Sequence, residues 1–301
     1  MTDLSVDTLR DNRESDMSDK TISKAPTLAQ FSEELDFREF EKKGWERAAG
    51  PYHKGFSKIT PLTAQALVRE AGVAAGQRVL DVASGPGYAA AAAALRGAQV
   101  LGIDIAEAVV ALARAENPGL EVRLGDAESL ELPDASFDAV LLNYALMHLA
   151  DPDKALREAY RVLRPGGRVA FSAWTSGGEA AAFTLILSIV AKHGEPDLRL
   201  PEGPDFFRFS DIGENLRSLS AAGFRQARSE LFQQFWRLRD PDEVFDTFIH
   251  GTVRTGALLR GQAPGALRKI REELAAEVAR YRVGAEYLLP MAAVIAVGTK
   301  S

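Results

Sequence analysis

The run Val79-Leu80-Asp81-Val82-Ala83-Ser84-Gly85-Pro86-Gly87 reads as a β-strand that ends in a glycine turn and leads into a helix over Tyr88 to Leu95. Glycine has no Cβ to keep a ligand off the backbone, so such a turn brings bare N–H groups and a helix N-terminus up to a bound molecule. Asp104, at the end of the next strand about 20 residues on, places a carboxylate where it can hold the hydroxyls of a ribose. Gly85, Gly87, Ala90 and Asp104 by themselves fit any nucleotide, a nicotinamide dinucleotide included. Two further carboxylates narrow the choice. Asp81 lies inside the first strand, where it would repel a pyrophosphate and attract an ammonium group. Asp126, in Gly125-Asp126-Ala127, can accept a hydrogen bond from the exocyclic amine of adenine while Ala127 leaves space against the ring. The ligand these positions suit carries a ribose, an adenine and a zwitterionic end.

Acid–base chemistry has one main candidate. His148 closes the run Asn143-Tyr144-Ala145-Leu146-Met147-His148, just past the fourth strand. Imidazole, with an ordinary pKa of about 6.5, can take a proton from a substrate; the alternative is that His148 packs or caps beside Asp151. Tyr144 is a second candidate with the same ambiguity. The remaining histidines, His53, His193 and His250, are too scattered for a helical metal pair, and the chain has no cysteine, so no metal site is expected. Phe206, Phe207, Phe209, Phe232, Phe235, Trp236, Phe245 and Phe248 either line a pocket for a flat or greasy acceptor or form a small core of their own. Arg254, Arg260, Arg268 and Arg271 stand near Glu272, Glu273 and Glu277, which reads as a solvated charged helix rather than an anion site.

The elements that must hold these residues alternate. Short β-rich runs near Arg78 to Ala83, Ala98 to Asp104, Leu120 to Leu124, Phe137 to Asn143 and Arg168 to Ala173 are separated by helical runs, the pattern of a parallel sheet wrapped by crossover helices. The third alternates apolar and charged residues as an edge strand does; the fourth carries no charge over Ala139 to Leu142 and belongs in the centre. Asp151 and Pro152 start a helix that stops at Pro165-Gly166-Gly167. Asp211 to Gly223 reads as helix, Arg225 to Trp236 as strand, and Leu288 to Val297 as a terminal apolar strand completing the sheet.

The domain reading follows: a disordered tail over 1–28; an N-terminal helical arm over 29–77; a sheet core from 78–174, 210–238 and 287–301; and a mostly helical cap from 175–209 and 239–286. In the arm, Phe31, Leu35 and Phe40 are spaced for one helix face, with Trp45 and Tyr52 following and a break expected at Gly50 and Pro51.

Composition reads as that of a globular protein of a reducing cytosol. The 301 residues are 46% hydrophobic and 26% charged, enough for a sizeable core. A net charge of −6 gives no long-range pull toward phosphate backbones, and no nucleic-acid partner is expected. The absence of cysteine removes disulfides, thiolate metal sites and sulfur nucleophiles and suits a reducing cytoplasm. The nearly apolar run Ala180 to Ala191 is too short to span a bilayer and reads as a buried helix; no membrane span and no secretion signal are expected. Oligomeric state is not legible.

With Leu132-Pro133, Phe137-Asp138, Asn143 and Leu163-Arg164-Pro165-Gly166-Gly167 added in order, the stretch from about Tyr52 to Ala173 resembles the class I S-adenosylmethionine-dependent methyltransferases, in the small-molecule branch that includes ubiquinone and menaquinone methyltransferase-like proteins. The resemblance implies an α/β fold, a Rossmann-like seven-stranded sheet with an antiparallel last strand, and S-adenosylmethionine as cofactor. It places Asp81, Ala83, Gly85 and Gly87 about the methionine part, Asp104 on the ribose, Ile105 and Ala127 on the adenine faces and Asp126 on its amine. Asn143 falls near the sulfonium, and Tyr52 with His53 closes over the cofactor. Ser84 stands where many members carry cysteine. The implied activity is methyl transfer to an O, N or C atom of a small metabolite, with His148 or Tyr144 beside the reacting centre. Two other classes remain: a protein of this fold that binds the cofactor but catalyses another reaction, such as a cyclisation, and an NAD(P)-dependent oxidoreductase. Beyond Trp174 the likeness is generic, so the acceptor is not implied.

Overall fold

The structure, a computed structural model, describes residues 36–301. The expected tail over 1–28 and the helix-face residues Phe31 and Leu35 lie outside the described residues. The chain opens with two helices, α1 (Phe37–Phe56) and α2 (Thr60–Glu70). An alternating unit follows: β1 (Arg78–Val82), α3 (Tyr88–Ala94), β2 (Gln99–Asp104), α4 (Glu107–Glu116), β3 (Glu121–Leu124), β4 (Phe137–Asn143), α5 (Pro152–Val162) and β5 (Leu163–Trp174). The C-terminal part contains α6 (Ala181–His193), α7 (Ile212–Ala221), β6 (Arg225–Phe232), β7 (Phe235–Leu238), α8 (Asp242–Gly251), α9 (Arg254–Arg260), α10 (Pro264–Ala279), β8 (Arg282–Val283), β9 (Glu286–Pro290) and β10 (Ala293–Thr299).

Seven strands form one sheet in the order β3-β2-β1-β4-β5-β10-β6, with β10 antiparallel to both of its neighbours. This is the expected fold: β3 is the edge and β4 the centre. From β1 the order runs outward through β2 and β3 on one side and β4 and β5 on the other. The carboxyl ends of β1 and β4 therefore diverge into a crevice, the usual ligand position in open α/β sheets. Val79, Leu80 and Val82 of β1 and Val140, Leu141 and Leu142 of β4 are essentially inaccessible, as strands covered on both faces must be.

Several expectations are corrected. The break at Gly50 and Pro51 is absent: α1 runs through both residues, because α8 is packed against it where any side chain at Gly251 would strike the backbone of Pro51 and Tyr52. Tertiary packing outweighs the cost of an interior proline. The helix after Asp151 ends at Val162, earlier than Pro165-Gly166-Gly167, since residues ahead of a proline are pushed toward extended conformations. Neither late strand is continuous. Arg225 to Trp236 divides into β6 and β7, and Leu288 to Val297 into β9 and β10; Met291 N–H bonds the carbonyl of Gln234 at 3.0 Å where the chain changes sheets. The pieces β7, β9 and β8 pair with one another as a second, three-stranded sheet. Helix α6 buries one face only, leaving Leu187 39% exposed. The aromatic residues of this region form no separate core: Phe206, Phe207, Phe209, Trp236, Phe245 and Phe248 join one cluster with Leu142, Phe171 and Trp174 of the sheet, whereas Phe235 is half exposed.

Candidate active site

A cleft of about 960 Å³ opens at the carboxyl ends of β1, β2 and β4 and is roofed by α1. Ten of the expected residues, Tyr52, Ala83, Gly85, Asp104, Ile105, Asp126, Ala127, Asn143, Tyr144 and His148, line it. Asp81 and Gly87 do not. The chain turns away from β1 at Ala83 (φ 51°) and from β4 at Tyr144 (φ 56°), two left-handed residues that are not glycine and that cost about 1–2 kcal/mol each. Both strained turns face the same crevice.

Asp81 is 1% exposed and sits behind the turn. Gly87 is the N-cap of α3 and has no side chain with which to satisfy the helix's free N–H groups, so Asp81 does it: Ala90 N–H donates to Asp81 Oδ2 at 2.8 Å. The other carboxylate oxygen has no partner, and burial drives the group's pKa well above the usual carboxylate range. Ser84 Oγ is likewise buried without a partner. At Gly85 (φ 55°) an added Cβ would meet nothing within 4 Å, so the space beside the turn is open.

Asp104 faces the same turn. Gly85 N–H donates to Oδ2 at 3.0 Å and Ala106 N–H to Oδ1 at 3.2 Å, while burial raises the carboxyl to about 6. Asp126 carries a partner that the sequence did not announce. Arg38 of α1 forms ion pairs with both Asp126 and Glu128, and Glu128 in turn accepts from Ala150 N–H at 2.9 Å.

Arg38, Glu41, Trp45, Ala49 and Tyr52 all line the cleft. Their spacing is that of a single helix face, the signal by which they could have been found. The same helix is tied down along its length. The Glu46 carboxylate accepts from Glu107 N–H at 2.6 Å and Ala108 N–H at 2.9 Å, capping α4, and His53 Nδ1 lies 2.9 Å from the Tyr88 hydroxyl.

The two acid–base candidates have different surroundings. The Tyr144 hydroxyl is buried, 2.7 Å from Thr63 Oγ1 and accepting from Gln234 Nε2 at 2.7 Å, with its ring stacked on Trp174 at 3.9 Å. Burial pushes its pKa far above 10, so it is a poor base at neutral pH. His148 does not meet Asp151, which instead caps α5 by accepting from Lys154 N–H at 2.8 Å. Its Nδ1 lies 3.0 Å from Glu41 Oε2, and Trp45 stands edge-on to the ring at 4.9 Å.

A second cavity of about 430 Å³ adjoins the first and shares Trp45, Tyr52, Tyr144 and His148 as walls; Phe56, Trp174, Phe183 and Phe206 complete its aromatic lining. Arg254 also borders it, which corrects the reading of a solvated charged helix: this guanidinium bonds Glu41, the Pro204 carbonyl at 2.8 Å and the Met147 carbonyl at 2.7 Å. Arg271 pairs with Asp242 at 2.8 Å. No group of three or more His, Asp or Glu placed to hold a metal occurs among the described residues.

Residues 80–171 match the family described as methyltransferase domain. A demethylmenaquinone methyltransferase of Thermus thermophilus is 48% identical over 101 residues, 32% of this chain and 46% of that protein. A ubiquinone biosynthesis O-methyltransferase of Pseudomonas savastanoi is 34% identical over 156 residues, 50% of this chain and 66% of the relative. The matched segments thus span about half to two thirds of these relatives. Among solved structures, Haemonchus contortus phosphoethanolamine N-methyltransferase 2, in complex with phosphomonomethylethanolamine and S-adenosylhomocysteine, superposes with a TM-score of 0.54 at 20% identity, covering 88% of this chain and 60% of that one. At that identity the likeness is one of fold.

Proposed function

We propose that this chain, which belongs through residues 80–171 to the class I S-adenosylmethionine-dependent methyltransferases, transfers a methyl group from that cofactor to a small acceptor held in the aromatic cavity. The observation that carries the reading is the pair of adjoining cavities, one edged by the carboxylates at the strand ends, the other walled by aromatic rings, with His148 lining both.

The residues fit an adenosyl amino acid. Asp104 is set for the ribose hydroxyls, Ile105 and Ala127 for the adenine faces, and Asp126 for the adenine amine once Arg38 shares or yields its carboxylate. The open space at Gly85 accommodates the chain leading to the sulfur, with Ala83, Tyr52 and Asn143 around it. The orphaned Asp81 oxygen is the kind of buried acceptor that an ammonium group satisfies, and Gly87 lets α3 begin beside it. A dinucleotide brings a pyrophosphate rather than an ammonium group to this turn and would leave that oxygen unsatisfied, which disfavours the oxidoreductase reading. No feature of the described residues favours a non-transfer reaction over methyl transfer.

When bound, S-adenosylmethionine supplies a methyl carbon activated by a positive sulfonium leaving group. The protein's part is alignment, exclusion of water and removal of the acceptor's proton. The aromatic walls Trp174, Phe183 and Phe206 orient a flat acceptor, and His148 takes its proton, while Tyr144 acts as a wall rather than a base. The acceptor is a small molecule, and the cysteine-free chain is consistent with work in the cytoplasm. No helix of the described residues is long and apolar enough to cross a membrane. The test is transfer of labelled methyl from S-adenosylmethionine into a panel of phenols, amines and carbon acids. One class should be methylated, with turnover reduced about a hundredfold or more in His148→Ala. Incorporation into none of them, or full turnover in that variant, overturns the assignment of substrate class or of the base respectively.

A further inference from the structure

Helix α1 contributes a carboxylate that the sheet does not. Glu41 is 3% exposed and lies between two partners: Oε2 is 3.0 Å from His148 Nδ1, and Oε1 accepts from Arg254 Nε at 3.1 Å. Arg254 is anchored in turn on the Met147 and Pro204 carbonyls, with its guanidinium over the Phe37 ring at 4.3 Å, so the carboxylate is held from behind. A carboxylate can only accept. A neutral His148 must therefore carry its proton on Nδ1 to be paired, which leaves the lone pair on Nε2. Trp45 and Phe206 stand edge-on to the imidazole and fix its plane, and Nε2 has no partner among the described residues. The ring lines both cavities.

We propose that Glu41 is a positioning residue: it holds His148 in the tautomer whose Nε2 lone pair is offered at the junction of the two cavities. The inference rests on the methyl-transfer reading above. In that step the acceptor's bond to hydrogen breaks and its proton moves to Nε2. The freed electron pair forms the new bond to the methyl carbon, and the pair of the broken carbon–sulfur bond remains on sulfur. Glu41 keeps the Nδ1 proton in place and carries the charge opposite to the imidazolium that forms. The N-terminal helix is then part of the catalytic apparatus as well as its roof.

Glu41→Gln separates this role from a structural ion pair. Its amide oxygen can accept from Arg254 Nε while its NH₂ donates to His148 Nδ1, so shape and hydrogen bonding survive but the proton is driven to Nε2. Glu41→Ala removes both contacts. The decisive measurement is ¹⁵N NMR of the full chain labelled at the ring nitrogens of its four histidines, with His148 assigned by His148→Gln and spectra taken above the imidazole titration. We expect a pyrrole-like Nδ1 and a pyridine-like Nε2 in the wild type, the two interchanged in Glu41→Gln, and a mixture in Glu41→Ala. Turnover on any acceptor found in the panel should fall at least as far in Glu41→Gln as in Glu41→Ala. A wild type with its proton on Nε2, unchanged signals in Glu41→Gln, or a Gln variant more active than the Ala variant would overturn the proposal. Calorimetric titration of the wild type with S-adenosylhomocysteine keeps the two readings apart: absence of binding sinks the cofactor reading, whereas the tautomer speaks for Glu41 in the free protein.

Discussion

Asp104 should make the binding of adenosine compounds depend on pH. Its carboxyl is buried and held at about 6, above the ordinary 3.8, because desolvation outweighs the backbone N–H bonds it receives from Gly85, Ala106 and Ile105. Ribose hydroxyls donate to the ionised form, so binding is strong above pH 6 and weakens as pH falls through that value. With a single site titrating at about 6, affinity at pH 5 should be about tenfold weaker than at pH 7, or about 1.4 kcal/mol. Stability of the free protein runs in the opposite direction. The folded chain takes up a proton that the unfolded chain has released between about pH 4 and 6. Stability is therefore highest below the unfolded pKa and falls by up to about 3 kcal/mol as pH rises through the folded one. The assay is calorimetric titration with 5′-methylthioadenosine, which has a ribose but no ammonium group and so leaves Asp81 out of the linkage. In Asp104→Ala the loss of two charge-assisted hydrogen bonds should cost about 3 kcal/mol, roughly a hundredfold in affinity, and abolish the pH dependence between 5 and 7. An affinity that stays flat across this range in the wild type would refute the reasoning.

Three further outcomes follow from the same geometry. Gly85→Ala meets no atom within 4 Å, so by denaturant unfolding it should cost only the left-handed strain of about 1–2 kcal/mol while its methyl obstructs the cleft and weakens S-adenosylhomocysteine binding; unaltered binding would show that the ligand lies elsewhere. Tyr144→Phe leaves Gln234 Nε2 without its buried acceptor and should lower stability by about 1–3 kcal/mol, with methyl transfer retained; complete loss of turnover at unchanged stability would make Tyr144 the base instead. Arg38→Ala leaves the buried Glu128 carboxylate without its cation and should lower stability by about 1–3 kcal/mol without lowering affinity for 5′-methylthioadenosine; a large drop in affinity would mean that Arg38 itself touches the ligand.

What the sequence disclosed was local. A glycine turn after an apolar strand, and acids at strand ends, declare themselves within a few residues, and Gly85, Asp104 and Asp126 fall together in the cleft. Asp81 is legible as a residue of β1, but its capping of α3 is not, since the need for it arises only because the residue at the N-cap is a glycine. The arm was harder. Arg38 and Glu41 find their partners 88 and 107 positions away, and only the helical spacing through Trp45 to Tyr52 hinted that they share a face. Pro51 masked the length of that helix, because the packing that overrides it comes from α8 near the other end of the chain. The second sheet was hidden for a related reason. Two runs long enough for single strands each change partner midway, at Gln234 and at Met291, a choice made by tertiary contacts rather than by composition.

Thermal unfolding of the purified chain with S-adenosylhomocysteine, S-adenosylmethionine, NAD or NADP added separately tests most directly whether the cleft between β1 and β4 is built for an adenosyl amino acid. A ligand that binds only the folded state stabilises it by about 2.7 kcal/mol at a hundred times its dissociation constant. We expect the two adenosyl compounds to raise the midpoint and the nicotinamide cofactors to leave it in place. A rise with NAD or NADP alone would contradict the cofactor assignment and the methyl-transfer chemistry that depends on it.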